Sequence, residues 1–568
     1  MEKKWWHGKI AYQIYPKSFC DSNGDGIGDL NGIISKLDYL RDLGIELLWL
    51  SPIYPSPFVD QGYDIADYCN IDPVFGDLKT FDRLMAEAKQ RGIDIVMDLV
   101  ANHCSSEHIW FKKACADPTC EEAGYFYFVK GKDGKKPNNL RSYFGGSVWT
   151  LVPGHEHEEL YYSHYFAKEQ PDLNWHNHKL REQIYKIVNF WIDKGVKGFR
   201  IDAILSIVKD LSFPDLEPDS AGDGMSHAAN MNAKLLDKIG PYLTELKERT
   251  FERADCFTVG EVLTVTPESV KVFAGDKGYF STLFDLSCRE KVESFPHYAQ
   301  FPTLLPDDFA NCVFATQELY QSTDAIVAPI IENHDEPRGV SYFMPPYLQN
   351  SSGAKCLATI LMMLRGIPFI YQGQEIGMTN TRFESVEDFD DLYAKDELRY
   401  CRQIGMSEAQ ALECVSRHTR DNARTPVLWN DSVYAGFSSA KPWMKVHQDY
   451  RTLNVAAQVH DPNSVLSYYQ KLIAMRKHPE HHESLTYGNF ERLESAPPAG
   501  VLAYYRVAKH EQFLVIANTK HENYQFNLST LKYFKGCHKL LLSANKVELQ
   551  GTTLTLGCGG AAIIKFKD

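Results

Sequence analysis

The amino-acid sequence predicts an α/β fold, in which eight parallel strands and the helices between them close into a (β/α)8 TIM barrel. Short apolar runs alternate with longer segments of helical period along most of the 568 residues. The runs are almost continuously hydrophobic, which is typical of parallel strands covered on both faces. Two regions interrupt this alternation, and they predict a loop-rich insertion after the third strand and a C-terminal antiparallel β-sandwich.

The strands of the barrel are predicted in chain order from these apolar runs. They fall at residues 10–15, 45–50, 93–100, 198–202, 256–261, 281–286, 326–335 and 367–373. Helical patterns such as "LNGIISKLDYLRDLG" and "LKTFDRLMAEAKQRG" lie between them, and each ends in Gly as helices often do. A closed barrel pairs each of the eight strands with a neighbour on both sides, so no sheet edge is left exposed.

The interruptions divide the chain into domains. Residues 1–103 form the first part of the barrel, and residues 104–170, rich in Gly, Pro, His and aromatics, form an inserted domain B. Residues 171–482 complete the barrel and include a subdomain at about 376–440. Residues 483–568 hold short alternating strands such as "GVLAYYRVAK" and predict the C-terminal β-sandwich.

Charge and composition exclude several classes of function. The net charge of −14 is opposite to what nucleic acid or an anionic membrane surface attracts. The N-terminus has no signal-peptide pattern, and no run of eighteen apolar residues occurs. The 13 cysteines are scattered without a C-x-x-C pair, which favours free thiols in a reducing compartment. We therefore expect a cytoplasmic monomer that binds neither nucleic acid nor membrane.

The stretch "DSNGDGIGDL" resembles the first half of a calcium loop. Its oxygen-bearing side chains are Asp21, Asn23, Asp25 and Asp29, with glycines between them. The twelfth position of an EF-hand loop is a bidentate Glu, whereas here it is Gly32. A calcium sensor, a structural ion site and a simple turn all remain open from this stretch alone.

Polar residues gather where four of the predicted strands end. They are Asp98, Asn102, His103, Arg200, Asp202, Glu261, Asn333, His334 and Asp335. A single carboxylate at a strand end is commonly a helix cap or an ion-pair partner. Four such positions in register indicate an active site, because barrel enzymes place their catalytic groups at the C-terminal ends of the strands.

These residues suit acid–base chemistry on an uncharged substrate. Retaining glycoside hydrolysis needs two carboxyl groups about 5–5.5 Å apart, one as nucleophile and one as proton donor. Arg200 and Asp202 are two residues apart on one strand, so their side chains share a face and the guanidinium would keep Asp202 ionised. Glu261 on the next strand would need its pKa raised by this anionic neighbour to serve as the acid at neutral pH.

Ordered motifs resemble a known family. "DLVANH", "GFRIDAI", "GEV" and "ENHDEPR" resemble the four signature regions of the α-amylase superfamily (glycoside hydrolase family 13). "QPDLNW", "YQGQEIGMTN" and "RDNARTP" resemble its oligo-1,6-glucosidase and α-glucosidase branch, and the resemblance runs to about residue 480. It implies a glycosidase acting on a short oligosaccharide or a disaccharide.

The resemblance assigns roles to individual residues. It makes Asp202 the nucleophile, Glu261 the general acid/base and Asp335 the stabiliser of the transition state. It also implies a set of substrate-binding residues: Asp60, Tyr63, His103, Phe144, Phe166, Gln170, Arg200, His334 and Arg420. Pairing of Asp60 with Arg420 would close the pocket behind one glucose and give exo-action. Core packing is the alternative for the aromatic residues.

The resemblance also explains the stretch Asp21–Leu30, here named the Gly/Asp loop. It implies a structural Ca²⁺ bound by Asp21, Asn23, Asp25, Asp29 and the backbone carbonyl of Ile27, with Mg²⁺ as an alternative occupant. No helix precedes the loop, so a sensor EF-hand is excluded.

The resemblance leaves alternatives for linkage and reaction. Ala203 follows the nucleophile at a position that is often Val in strictly α-1,6-acting members, while Cys104 and Ser106 depart from the usual Thr and Asp. We expect hydrolysis of α-1,6-linked glucose, as in isomaltose, together with α-1,4 links or sucrose. A sucrose isomerase, a trehalose-6-phosphate hydrolase and a non-catalytic amylase-like binding subunit are the alternatives.

Overall fold

The central sheet is a row of parallel strands bent into most of a barrel. The structure, a computed structural model, describes residues 2–263 and 265–566. Seven parallel strands pair in the spatial order sixth, fifth, fourth, third, second, first and last. They are Ala11–Ile14, Leu47–Leu50, Asp94–Val100, Gly198–Asp202, Phe257–Gly260, Thr282–Leu283 and Phe369–Tyr371. Most of their residues are fully buried, as the hydrophobic runs predict.

The eighth position of the barrel differs from the prediction of a strand at 326–335. Ala328 forms only an isolated parallel bridge with Phe284. On the other side, the amide of Ile367 donates to the carbonyl of Val327 at 3.0 Å. Pro329 has no N–H to donate, so a regular ladder cannot continue through this segment. Hydrogen bonds on both sides nevertheless close the barrel.

The helices pack around the outside of these strands. Those of the barrel layer are Leu30–Ser35, Leu37–Leu43, Leu78–Gln90, His178–Asp193, Gly240–Arg249, Pro267–Phe273, Ser287–Glu293, Pro306–Gln321, Ser351–Met362 and Val465–Lys477. Other helices span Ile109–Ala116, Ala228–Leu235, Gly339–Phe343, Leu392–Gln403, Glu408–His418, Asp421–Arg424, Val455–Gln458 and His482–Tyr487. The helical pattern after the first strand forms two helices because Lys36 leaves helical geometry (φ −108°, ψ 4°).

The region after the third strand leaves the barrel and returns at the helix His178–Asp193. It contains a small antiparallel sheet of Phe128–Lys130, Leu160–Ser163 and Trp149–Leu151. A two-stranded pairing of Leu140–Arg141 with Ser226–His227 ties it to the segment after the fourth barrel strand. The excursion has the composition expected of an insertion, whereas the boundaries 104–170 and 376–440 remain predictions.

The C-terminal region is an antiparallel β domain, as the alternating pattern predicts. One sheet has the order Asn489–Arg492, Val501–Val507, Gln512–Asn518, Ala561–Phe566 and His538–Ala544. The second has the order Tyr524–Asn527, Thr553–Leu556 and Val547–Gln550. Arg506 docks this domain on the barrel, because its buried guanidinium donates to the carbonyl of Met363 at 2.6 Å.

The structure also bears on the predictions about membrane-spanning segments and cysteines. Among the helices of residues 2–263 and 265–566, none combines the length and the apolar character that crossing a membrane requires. All 13 cysteines are free thiols.

Candidate active site

A single buried arginine organises the carboxylates at the ends of the third, fourth and fifth strands. Arg200 Nη1 donates to Asp202 Oδ1 at 2.5 Å and to Asp98 Oδ1 at 3.0 Å. Its Nη2 donates to Glu261 Oε2 at 2.8 Å. Arg200 and Asp202 point the same way because alternate residues of a strand share a face. The predicted proximity of Asp202 and Glu261 therefore holds in the structure.

Glu261 has a second cationic partner that the sequence pattern does not show. Arg289 Nη1, on the helix Ser287–Glu293, donates to Glu261 Oε1 at 3.1 Å. The amide of Ala203 donates to Glu261 Oε2 at 3.2 Å. Glu261 is thus held by two guanidinium groups and one backbone amide. The only signal in the sequence was an arginine in the segment that follows the sixth strand.

Burial and the neighbouring arginines shift the pKa values of Asp202 and Glu261 in different directions. Burial raises the pKa of Asp202 well above its usual range, and Arg200 offsets only part of this effect. Burial also acts on Glu261, but Arg200 and Arg289 together lower its pKa below the ordinary value. A raised pKa for Glu261 stays a prediction, and Arg289 is a cation that the sequence analysis did not place beside it.

Asp335 is surrounded by two arginines and a histidine. Its Oδ1 accepts from Arg420 Nη1 at 3.1 Å and from Arg424 Nη2 at 3.0 Å. His334 Nε2 lies 3.0 Å from its Oδ2. Burial would raise the pKa of Asp335, but His334 and the two guanidinium groups hold it well below the usual range. Asp335 is therefore a carboxylate at any ordinary pH.

Arg420 joins Asp335 to the other end of the pocket. Its Nη2 is 3.5 Å from Asp60 Oδ1 and 2.5 Å from Asp391 Oδ1. The predicted pairing with Asp60 is present, while Asp391 is a stronger partner that the sequence analysis missed. Burial raises the pKa of Asp60 to about 6. Its other oxygen accepts from Gln170 Nε2 at 3.1 Å.

The remaining predicted residues line the space between these two groups. Tyr63 donates to Asp98 Oδ2 at 2.9 Å, and its ring stacks on His334 with centroids 5.2 Å apart. His103 Nε2 is 3.2 Å from Gln170 Nε2. Two aromatic residues complete the set: Phe166 packs against His103, and Phe144 lies under the guanidinium of Arg420. All twelve predicted catalytic and substrate-binding residues thus belong to one connected network.

The Gly/Asp loop lies apart from this network and is organised by its own side chains. Asp21 Oδ1 accepts from the amides of Asn23 and Gly24, and its Oδ2 accepts from Gly26 and Ser438. Positive φ values at Gly24 (82°) and Gly26 (91°) allow this tight curl.

The loop carries the kinds of oxygen ligand that a hard cation binds. Asn23 Oδ1 accepts from the amide of Asp25, and Asp25 Oδ1 accepts from the amide of Ile27. Asp29 caps the helix Leu30–Ser35 by accepting from Gly32. Carboxylate, amide and carbonyl oxygens are the ligands that Ca²⁺ prefers.

Comparison with known proteins identifies the family. The family profile described as alpha amylase, catalytic domain, matches residues 13–488. The oligo-1,6-glucosidase of Bacillus cereus is 39% identical over 543 residues, covering 93% of each chain. The trehalose-6-phosphate hydrolase of Bacillus subtilis is 38% identical, covering 90% of this chain and 89% of that protein.

A solved structure extends the likeness to the whole fold. The isomaltulose synthase of Erwinia rhapontici NX5, a mutant in complex with D-glucose, superposes with a TM-score of 0.91 at 36% identity over 100% of both chains. A match over most of the chain in both sequence and structure shows a common family. The chain therefore belongs to the α-amylase family of glycoside hydrolases.

Proposed function

We propose that this protein is a retaining, exo-acting α-glucosidase that releases terminal α-1,6-linked glucose from short oligosaccharides such as isomaltose, with activity also on α-1,4 links or sucrose. The observation that carries the proposal is the attachment of Asp202 and Glu261 to the two terminal nitrogens of Arg200. One guanidinium can hold two carboxylates only if they are close, as retention requires. A monomer in the cytoplasm stays a prediction.

The mechanism follows from these positions. Asp202 attacks the anomeric carbon as Glu261 gives a proton to the leaving oxygen, so a glucosyl–Asp202 bond forms and the glycosidic bond breaks. Glu261 then takes a proton from water, which attacks the anomeric carbon and releases Asp202. Asp335, kept ionised by His334, Arg420 and Arg424, stabilises the positive charge that develops on the sugar.

Proton donation requires that substrate change the surroundings of Glu261. Arg200 and Arg289 favour the ionised form of Glu261, and burial favours the protonated form of Asp202. Asp202 and Glu261 bond to the same guanidinium, so a proton held by Asp202 can pass to Glu261 as the sugar enters. Asp202 is then free to attack as a carboxylate.

The pH dependence of turnover tests the part played by Arg289. We expect Arg289→Gln to move the alkaline limb of kcat/KM to higher pH, since loss of a cation raises the pKa of the acid that must be protonated. The measurement is the pH profile of kcat/KM for isomaltose, with Arg289→Lys as the control that retains the charge. A limb that moves downward or stays in place would contradict the assignment of Glu261 as the acid.

Exo-action is supported by the far end of the pocket. Arg420 lies between Asp60, Asp335 and Asp391, and Gln170 holds the second oxygen of Asp60. We infer that these paired side chains form the end wall of the pocket, with room for one sugar beyond the cleaved bond. Cleavage should therefore begin at a terminal glucose.

Product analysis tests the proposed function. Purified protein is incubated separately with isomaltose, maltose, sucrose and trehalose 6-phosphate, and the products are identified by chromatography. Glucose from isomaltose at the highest kcat/KM supports the proposal. Preferred cleavage of trehalose 6-phosphate would replace it, and no turnover of any sugar would favour a non-catalytic binding subunit.

Sucrose isomerisation is the second candidate, because a solved isomaltulose synthase superposes over the whole chain. In that reaction fructose stays beside the glucosyl–enzyme and attacks it in place of water. Isomaltulose or trehalulose as the main product from sucrose would show isomerisation, while glucose and fructose would show hydrolysis.

The residue after the nucleophile offers a test of linkage preference. Ala203 is half-buried and has φ +44°, and its side chain would face the leaving sugar. We expect Ala203→Val to raise the ratio of kcat/KM for isomaltose over maltose by up to about tenfold, since two methyl groups narrow the approach. The same change should lower the melting temperature, because a β-branched residue is strained at positive φ.

Ala203→Gly is the matched control for this experiment. It should leave the ratio unchanged, and the melting temperature should stay equal or rise because Gly tolerates positive φ. An unchanged or falling isomaltose preference in folded Ala203→Val would remove Ala203 from the specificity argument.

We propose that the Gly/Asp loop binds a structural Ca²⁺, with Mg²⁺ as an alternative. Asp21, Asn23, Asp25, Asp29 and the carbonyl of Ile27 would hold it, and the ion would rigidify the loop before the helix Leu30–Ser35. Chelation should lower the melting temperature, because an ion bound only to the folded state stabilises it. Calorimetry with and without EDTA measures this, and immediate loss of turnover at an unchanged melting temperature would contradict a purely structural role.

A further inference from the structure

A cluster of metal-ligating side chains lies outside the barrel pocket, at the turn between the helices Val465–Lys477 and His482–Tyr487. His478, Glu480 and His481 each offer one ligand atom, and these atoms all lie within 4.8 Å of one another. The amide of His481 donates to the carbonyl of His478 at 2.9 Å, which closes the turn and brings the two imidazoles to the same side. Their ring centroids are 5.5 Å apart.

The buried histidine of this cluster is oriented as metal-bound histidines usually are. His481 is 7% exposed, and its Nδ1 is 2.8 Å from Glu511 Oε1. A carboxylate that accepts from Nδ1–H leaves the lone pair on Nε2 for a metal. That nitrogen lies 3.9 Å from Glu480 Oε2. The Nε2 atom thus faces the second ligand.

Glu480 is held in place while one of its oxygens stays available. Lys565 Nζ donates to Glu480 Oε1 at 2.6 Å and to Glu511 Oε1 at 2.5 Å. The other oxygen of Glu480, Oε2, is the atom that faces His481. Two carboxylates and one ammonium give the site a net charge of −1 when both imidazoles are neutral, which favours a cation.

We propose that His478, Glu480 and His481 bind a divalent transition-metal ion such as Zn²⁺, with water at the remaining position. Two imidazoles and a carboxylate suit Zn²⁺, and an all-oxygen site would suit Ca²⁺ or Mg²⁺ instead. Glu511 and Lys565 belong to the C-terminal β domain, so the ligands of the ion are linked to that domain through their contacts with His481 and Glu480. The site takes no part in glycoside cleavage.

Zinc titration tests this proposal independently of hydrolysis. The protein is stripped with chelator and titrated with ZnCl₂ by calorimetry, and thermal melting is followed with and without zinc. Wild type should bind one equivalent that is lost or weakened at least tenfold in His478→Gln and in Glu480→Gln, since each removes a ligand. Glu511→Gln should weaken binding by about 10–100-fold, as loss of a carboxylate behind a metal-bound histidine does.

His482→Gln and Glu483→Gln are the matched controls, because they change neighbouring residues of the same types outside the cluster. They should keep the wild-type equivalent and the zinc-induced rise in melting temperature. Free thiols and the Gly/Asp loop can also bind zinc. The decisive quantity is therefore the equivalent of bound zinc that wild type has and the ligand variants lack. An affinity in His478→Gln equal to that of wild type, or no saturable zinc binding by wild type, would overturn the proposal.

Discussion

Replacing Asp202 by Asn is expected to reduce kcat for isomaltose by at least about 10⁴-fold, because the amide cannot form the covalent bond to glucose. Replacing Glu261 by Gln is expected to reduce kcat by at least about 10³-fold, since no proton then reaches the leaving oxygen. Both substitutions keep the shape of the side chain, and Arg200 retains Asp98 as a partner. The protein should therefore stay folded.

Steady-state kinetics and melting temperature measure these effects together. Asp237→Asn is the control, because this aspartate is exposed and paired with Lys238, and the substitution should leave kcat unchanged. Proton NMR of the first product should show a retained α-anomer. Activity within tenfold of wild type in either catalytic variant, or an inverted anomer, would reject the assigned roles.

Replacing Arg420 by Met is expected to remove both activity and a large part of the stability. Its guanidinium compensates three buried carboxylates, Asp60, Asp335 and Asp391, whose side chains are 9%, 14% and 0% exposed. Removing one partner of a buried pair costs about 3–5 kcal/mol, because the other charge is left uncompensated. We expect a lower free energy of unfolding and a kcat/KM for isomaltose below about 1% of wild type.

Denaturant unfolding and isomaltose kinetics check this result. Arg399→Met is the matched control, because Arg399 is 67% exposed beside Asp396 and an exposed pair contributes only about 0–1 kcal/mol. Arg420→Lys keeps the charge and should recover part of the stability but little of the activity. A stable, active Arg420→Met protein would show that the pocket is not closed by this residue.

Sequence patterns were sufficient to predict the barrel and its catalytic edge. The seven strands fall within the predicted apolar runs, and Asp202 and Glu261 lie at the ends of adjacent strands. Both are consequences of local periodicity, because a buried parallel strand must be hydrophobic along its length and its carboxyl end must face one edge. The departure at 326–335 was also local, since Pro329 removes a donor from the ladder.

The charge balance of the site could not be predicted in the same way. Arg289 reaches Glu261 across 28 residues, and Arg424 reaches Asp335 across 89 residues. Contacts between charged side chains far apart in sequence depend on how the helices and loops pack. Sequence periodicity does not predict them. This is why the sequence analysis did not place Arg289 beside Glu261.

The sequence by itself therefore determined the barrel, the positions of Asp202, Glu261 and Asp335, and the Gly/Asp loop. Each depends on residues that are near one another along the chain. Folding alone reveals that Asp391 is the nearest carboxylate to Arg420 and that Arg289 lies beside Glu261. The same holds for the contact between Glu511 Oε1 and His481 Nδ1. These contacts depend on burial and on the distance between charges after folding, since a buried pair interacts far more strongly than an exposed one.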